Sequence, residues 1–221
     1  MNLKHYNTIL WDWNGTLIDD TWLSLAINNE LLAKRGLPPV SLEDYKQKFG
    51  FPIIDYYKKI GFDLETEPFE IIAEEFIIQY ENRRFECTLQ EGASEVLNDF
   101  SRMEMCQNIL SATHIESLKP FVEHYELTPY FTNILGLDNH YAASKVQVGL
   151  KWLETAGCDP SQILLIGDTL HDYEVAKAIG ADCIIIANGH QNEARLRASG
   201  ARVLKSLKEL ADWLARIEKA V

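Results

Sequence analysis

The chain has 221 residues, 47% hydrophobic and 24% charged, enough for one large domain or two modest ones and unlike a disordered segment. Its net charge of −12 comes without a Lys/Arg cluster, which argues against nucleic acid as a partner, because polyanion binding draws on clustered cations. No apolar run approaches the roughly 18 residues of a spanning helix, and the first residues lack the apolar core of a signal peptide.

Thr8-Ile9-Leu10-Trp11 is an apolar run that stops at Asp12, with Asn14-Gly15 just beyond, and reads as a buried strand entering a tight turn. From Asp19 to Gln90 the pattern becomes helical: Leu23 to Arg35, Leu42 to Phe49, Ile53 to Ile60 and Phe69 to Phe85. Gly36, Pro38-Pro39, Gly50, Pro52, Gly61 and Pro68 break it up, and no strand signal is present. An inserted all-helical domain over 19–90 is therefore expected, with a main domain made of 1–18 and 91–221. Three further apolar runs follow: Asn108 to Leu110 into Ser111, Ile163 to Ile166 into Gly167-Asp168, and Cys183 to Ile186 into Asn188-Gly189. Helical spacing marks Lys145 to Glu154, Asp172 to Ile179 and Leu204 to Ile217. Continuous rather than alternating strands are covered on both faces. The expected fold class is thus α/β, a Rossmann-like doubly wound parallel sheet, whose ligands bind at the carboxyl ends of the strands. Cys87, Cys106, Cys158 and Cys183 form no CxxC pair, and three adjoin apolar runs, so buried reduced thiols in a cytosolic protein are expected.

The polar residues at those strand ends carry the chemistry. A carboxylate at Asp12 can attack phosphorus and form an aspartyl-phosphate, although Asp-x-Asn-Gly is equally good turn chemistry. Ser111 can hydrogen-bond a phosphoryl oxygen, and Lys145, if buried beside two carboxylates, can offset charge on the transferring group. Asp168 can share an oxygen-ligated Mg²⁺ with Asp12. Asp172, one helical turn on, can orient Lys145 or a water on the metal. Each has a bland alternative: a turn, a solvated helix lysine, an N-cap at Asp168-Thr169. The ordered set at strand ends outweighs them.

Asp12 to Asp19, Ser111, Lys145, and Gly167-Asp168 with Asp172 resemble, in order, the four motifs of haloacid dehalogenase superfamily hydrolases. The segment between the first two, with Phe49-Gly50-Phe51-Pro52, is similar to the helical cap of phosphoglycolate phosphatase-like members. The resemblance implies a magnesium-dependent hydrolase, either a monomer or a homodimer, acting on a small phosphorylated substrate, with no nucleic-acid or membrane partner. It makes Asp12 the nucleophile and a metal ligand. The metal set would further hold the backbone carbonyl of Asn14 and the carboxylate of Asp168, with Asp172 supporting it. Ser111, Thr16 and Lys145 would bind the phosphoryl group.

One departure stands out. Phosphatases of this family usually carry a second Asp, a general acid and base, where this chain has Asn14. An amide cannot move that proton, and general acid–base catalysis contributes about 10²–10⁴-fold, so slow turnover on alkyl phosphates is expected unless another group steps in. His114 and His171, near strand ends, are candidates. Alternatives are a catalytically weak phosphate-binding or regulatory protein, and, further off, a phosphonatase or dehalogenase. Arg83, Arg84 and the lysines near Gly50 could meet a substrate carboxylate or second phosphate, and Trp13 could wall the site or sit in the core.

Overall fold

The computed structural model describes residues 3–138 and 144–218. Strand β1 (Thr8–Trp11) leads through a short β2 (Ile18–Asp19) into four helices, α1 (Thr21–Lys34), α2 (Leu42–Lys48), α3 (Ile53–Ile60) and α4 (Phe69–Arg83). The chain returns through β3 (Thr88–Leu89), followed by α5 (Ala93–Arg102), β4 (Cys106–His114), α6 (Ile115–His124) and β5 (Asn133–Leu137). Then come α7 (Lys145–Ala156), β6 (Ile163–Gly167), α8 (Leu170–Ile179) and β7 (Asp182–Ile186). Helix α9 (Glu193–Ala198), β8 (Arg202–Leu204) and α10 (Leu207–Glu218) complete the fold.

Six strands form one parallel sheet in the order β5-β4-β1-β6-β7-β8. Thr8 lies opposite both Cys106 and Ile163, so β1 is central. The chain fills the sheet to one side of β1 with β4 and β5, then to the other with β6, β7 and β8, and the carboxyl end of β1 is the switch point where such sheets bind ligands. The fold class expected from the sequence is the one found. Alternation explains the continuous apolar runs, because each strand feeds two cores. Ile9, Trp11, Ile109 and Ile166 pack with Leu97, Phe100, Phe121 and Leu210 on one face. Leu10, Leu110 and Leu165 pack with Trp152, Val175 and Ile179 on the other. Each such fully buried side chain stabilises the fold by about 1.5–3 kcal/mol.

Several elements differ from expectation. Strand β3 lies within the stretch read as free of strands; it pairs antiparallel with β2, Ile18 opposite Leu89 and Asp19 opposite Thr88. Two residues are too few for a period to declare itself. The outer strands β5 and β8 leave no strong apolar run in the sequence, the first being half-buried along most of its length and the second three residues long. Leu204 ends β8 rather than opening the last helix. Strand β4 runs on to His114, which puts Ser111 inside it. Helices α5, α6 and α9 complete the layers. All four cysteines are free, Cys87 and Cys183 buried as expected, whereas Cys106 is exposed and Cys158 half-buried. No helix among the described residues is long and apolar enough to cross a membrane.

Candidate active site

Strands β1 and β6 are neighbours in register, Trp11 opposite Ile166, so the residues that follow them, Asp12 and Asp168, emerge side by side. The Asp12 amide donates to the Ile166 carbonyl at 2.8 Å, which continues the ladder one residue past the strand. The chain then turns at Gly15, whose φ of +74° is costly for any residue with a Cβ. A Cβ there would lie 2.4 Å from Asp168 Oδ2, and one at Gly189 only 2.1 Å from the same atom. Both loops can approach the carboxylate because they carry no side chain at these points.

Lys145 and Asp172 reach the same place from helix starts. At α7, Ser144 is the N-cap, its hydroxyl accepting from the Gln147 amide at 3.2 Å while the Gln147 side chain accepts from the Ser144 amide at 3.0 Å. At α8, the Thr169 amide and hydroxyl donate to Asp172 Oδ2 at 3.0 and 2.7 Å. Thr169 is thus the N-cap of α8, and the Asp172 that completes its capping box also turns its other oxygen to Lys145. The ammonium of buried Lys145 sits 2.5 Å from Asp12 Oδ1 and 2.5 Å from Asp172 Oδ1. Thr16, fully buried, links Asp12 to the third acid, its hydroxyl 3.1 Å from Asp12 Oδ2 and 3.3 Å from Asp168 Oδ1.

One oxygen each of Asp12, Asp168 and Asp172 lie within 4.8 Å of one another, all three residues buried. Three carboxylates against one ammonium leave the floor over-negative. Burial pushes the Asp12 carboxyl up; Lys145 opposes this and Asp172 adds to it. Burial likewise raises Asp168, His190 opposing and the charges of Asp12 and Asp172 adding. For Asp172, burial is overcome by Lys145 and the Thr169 bonds, and the carboxyl is held low. For Lys145, burial is overcome by its two carboxylates, so it stays protonated. Among the described residues Asp168 accepts from the His190 amide at 2.6 Å and from the Thr16 hydroxyl at 3.3 Å. An all-oxygen set with surplus negative charge suits a hard divalent cation. Asp172 is the most heavily engaged of the three, its Oδ1 on Lys145 and its Oδ2 on both the amide and the hydroxyl of Thr169.

Beside this floor lies a second network that the sequence did not reveal. Asn14 turns its amide away from the acids: Nδ2 donates to Asp20 Oδ2 at 2.8 Å and to the Tyr80 hydroxyl at 2.7 Å, while Oδ1 accepts from the Thr113 hydroxyl at 2.7 Å. Tyr80 OH in turn donates to Asp20 Oδ2 at 2.6 Å. The other oxygen of Asp20 accepts from the Gly15 amide at 2.8 Å and faces His190 Nε2 at 3.2 Å. His190 Nδ1 meets the Tyr45 hydroxyl at 2.8 Å. Burial disfavours the His190 cation, but the charge and hydrogen bond of Asp20, helped by Asp168 and Asp12, raise its pKa to about 9. Burial also works against the Asp20 anion, and His190, Tyr80 and Asn14 overcome it to hold the carboxyl low. Asp20 and His190 are thus a buried ion pair.

The remaining sequence candidates are placed less centrally. The buried Ser111 hydroxyl accepts from the Thr113 amide at 3.0 Å. His114 reaches the Asp138 carbonyl at 3.1 Å, and His171 lies tilted against Phe51 with ring centroids 4.6 Å apart. Trp13 is core, packed edge-on against Phe121. Arg83 and Arg84 are paired with Glu30 and Glu81 at 2.9 and 2.7 Å. A signal for His190 existed: Asn188-Gly189 repeats the Asn14-Gly15 pairing at the end of another strand, and His190 follows it.

A lysine-clamped aspartate just past the first strand, at the switch point of a parallel sheet, is placed where a carboxylate nucleophile can meet a bound ligand. The chain belongs to the haloacid dehalogenase-like hydrolase family, whose profile matches residues 9–186. It is 24% identical, over 97% of its length and 99% of the relative's, to a phosphoglycolate phosphatase of Chromobacterium violaceum. It is 23% identical, over 98% of both chains, to an N-acetylmuramic acid 6-phosphate phosphatase of Pseudomonas aeruginosa. Among solved structures it superimposes on a protein of Clostridium acetobutylicum described as a predicted phosphatase, with a TM-score of 0.80, 21% identity and coverage of 96% and 99%.

Proposed function

We propose that the protein is a magnesium-dependent phosphatase of small phosphorylated metabolites that works through an aspartyl-phosphate on Asp12. The observation that carries this reading is the buried Asp12 carboxylate, held by Lys145 and Thr16 with Asp168 alongside. Asp12 attacks phosphorus, the bond to the ester oxygen breaks, and the alkoxide leaves and takes a proton from solvent; water then attacks the same phosphorus, the bond to Asp12 breaks, and phosphate leaves. Lys145 offsets charge on the nucleophile and the transferring group, and Asp172 fixes it there. Ser111 is assigned to the phosphoryl oxygens. Thr16, its hydroxyl already shared between two carboxylates, serves the phosphoryl site by fixing Asp12. Asp12, Asp168 and the backbone carbonyl of Asn14 would hold Mg²⁺, which when bound neutralises part of the phosphoryl charge. Helices α1 to α4, within 19–90, act as a cap that excludes water. The free cysteines suit a cytosolic setting.

Both relatives named above act on phosphate monoesters of acids, phosphoglycolate and N-acetylmuramic acid 6-phosphate. A phosphate monoester that also carries a carboxylate is the substrate class we assign to this chain.

The test is turnover of aryl, acyl and alkyl phosphates with and without Mg²⁺, in the native protein and in Asp12→Asn. Metal-dependent turnover that disappears in Asp12→Asn supports the reading. Metal-dependent phosphate binding with no turnover on any ester would move the protein to the alternative, a phosphate-binding regulator.

A further inference from the structure

A chain of net charge −12 with an acidic floor must still attract an anion. Most cations of the helical insertion are already spent on neighbouring acids. Lys34 and Arg35 pair with Glu75 and Glu67, Lys48 with Asp44, Arg83 with Glu30 and Arg84 with Glu81. Lys46 is different. It is half-buried near the end of α2, and among the described residues its Nζ has one hydrogen-bond partner, the Asn188 carbonyl at 3.2 Å, and no ion pair.

Its place is fixed from both sides. The Lys46 carbonyl accepts from the Asn192 amide at 3.2 Å. On one side Tyr45 meets His190, and on the other the Gln47 side chain accepts from Asn192 Nδ2. Arg195 fastens the same turn by donating to the carbonyls of Gln47 and Phe49. The carbonyl that receives the ammonium belongs to Asn188, one peptide link before Gly189, where an added Cβ would run into Asp168. Lys46 therefore stands where the insertion meets the rim of the acidic floor. Burial weakens its hold on its proton, and Asp168 and Asp19 nearby work the other way. A partly desolvated cation with a single hydrogen-bond partner among the described residues costs free energy that an arriving anion offsets. A single ammonium matches a singly charged carboxylate, and the floor's surplus negative charge disfavours a second dianion.

Resting on the phosphatase reading, we propose that Lys46 is a specificity-determining residue that binds the carboxylate of a substrate whose phosphoryl end lies at Asp12. Lys46→Met should lower kcat/KM for phosphoglycolate roughly 10–100-fold more than for ethyl phosphate, mostly through KM, and Lys46→Arg should restore much of that selectivity. A second readout needs no turnover. In calorimetry with Mg²⁺ present, the native protein should bind phosphonoacetate more tightly than propylphosphonate, and Lys46→Met should erase the difference. Equal losses on both esters, or a native protein with no preference between the two phosphonates, would overturn the assignment. Absence of turnover together with a Lys46-dependent phosphonate preference would sink the phosphatase reading and leave the carboxylate site standing.

Discussion

Two buried polar clusters meet at Asn14 and Gly15, and they are built on opposite plans. The floor, Asp12, Asp168, Asp172 and Lys145, holds three carboxylates against one cation and leaves Asp12 and Asp168 pushed up by burial and mutual repulsion. The neighbouring network of Asn14, Asp20, Tyr45, Tyr80 and His190 is closed: an acid is matched to a histidine, and Asn14, both tyrosines and the ion pair have hydrogen-bond partners. An unbalanced cluster is poised to take a cation and do chemistry, whereas a balanced one gives rigidity. The balanced network also ties the site loop to α2, to α4 and to the loop after β7, so it registers the insertion against Asp12.

Breaking the floor should have the largest effects. Asp12→Asn removes the nucleophile, and kcat should fall by at least about 10⁴-fold while the fold survives, since one repelling charge is gone. Lys145→Met should cost activity and also destabilise the metal-free protein by roughly 3–5 kcal/mol, read by denaturant unfolding, because Asp12 and Asp172 lose their buried cation. Breaking the network should weaken the fold first. Asp20→Asn leaves His190 without its acid and should lower stability by roughly 3 kcal/mol, with a smaller loss in kcat.

The ion pair also fixes a pH dependence. His190 is raised from 6.5 to about 9 in the folded protein, so its stabilising contribution is full below about 6.5 and is lost as pH rises through about 9. The difference in melting temperature between the native protein and His190→Gln, measured in EDTA, should shrink over that interval. A difference that stays constant would mean that His190 is neutral throughout.

The smallest expected effect is the most discriminating. Asn14→Asp looks from the sequence like restoration of a missing acid, yet Asn14 Nδ2 lies 2.8 Å from Asp20 Oδ2. A carboxylate there would face Asp20, one of the two would be forced to hold a proton, and two donated hydrogen bonds would be lost. The single variant should gain less than about tenfold on alkyl phosphates, against the about 10²–10⁴-fold available to a working acid–base group. Asn14→Asp combined with Asp20→Asn should gain more than either change alone.

The floor was legible in the sequence because its members terminate strong, buried strands or open capped helices; Asp12, Lys145, Asp168 and Asp172 all carry such local markers. Helices α1 to α4 were legible from the Gly and Pro breakers that separate them. The balanced network was not. Asp20 opens α1 with no side-chain cap bond, Tyr45 and Tyr80 lie on helices whose packing faces the sequence cannot orient, and His190 lies 170 residues from its acid. Pairing at that separation depends on the β2–β3 ribbon that starts and ends the insertion, and two-residue strands leave no periodic trace.

The most direct test of the account is acid-quenched peptide mapping after the protein is mixed with an aryl phosphate and Mg²⁺. Without an acid–base group at Asn14 to activate water, breakdown of the phosphoenzyme should be slow, so a phosphoryl group should accumulate on the peptide containing Asp12 and be absent in EDTA and in Asp12→Asn. Turnover with no phosphopeptide, or with the phosphoryl group on another residue, would contradict Asp12 as the nucleophile.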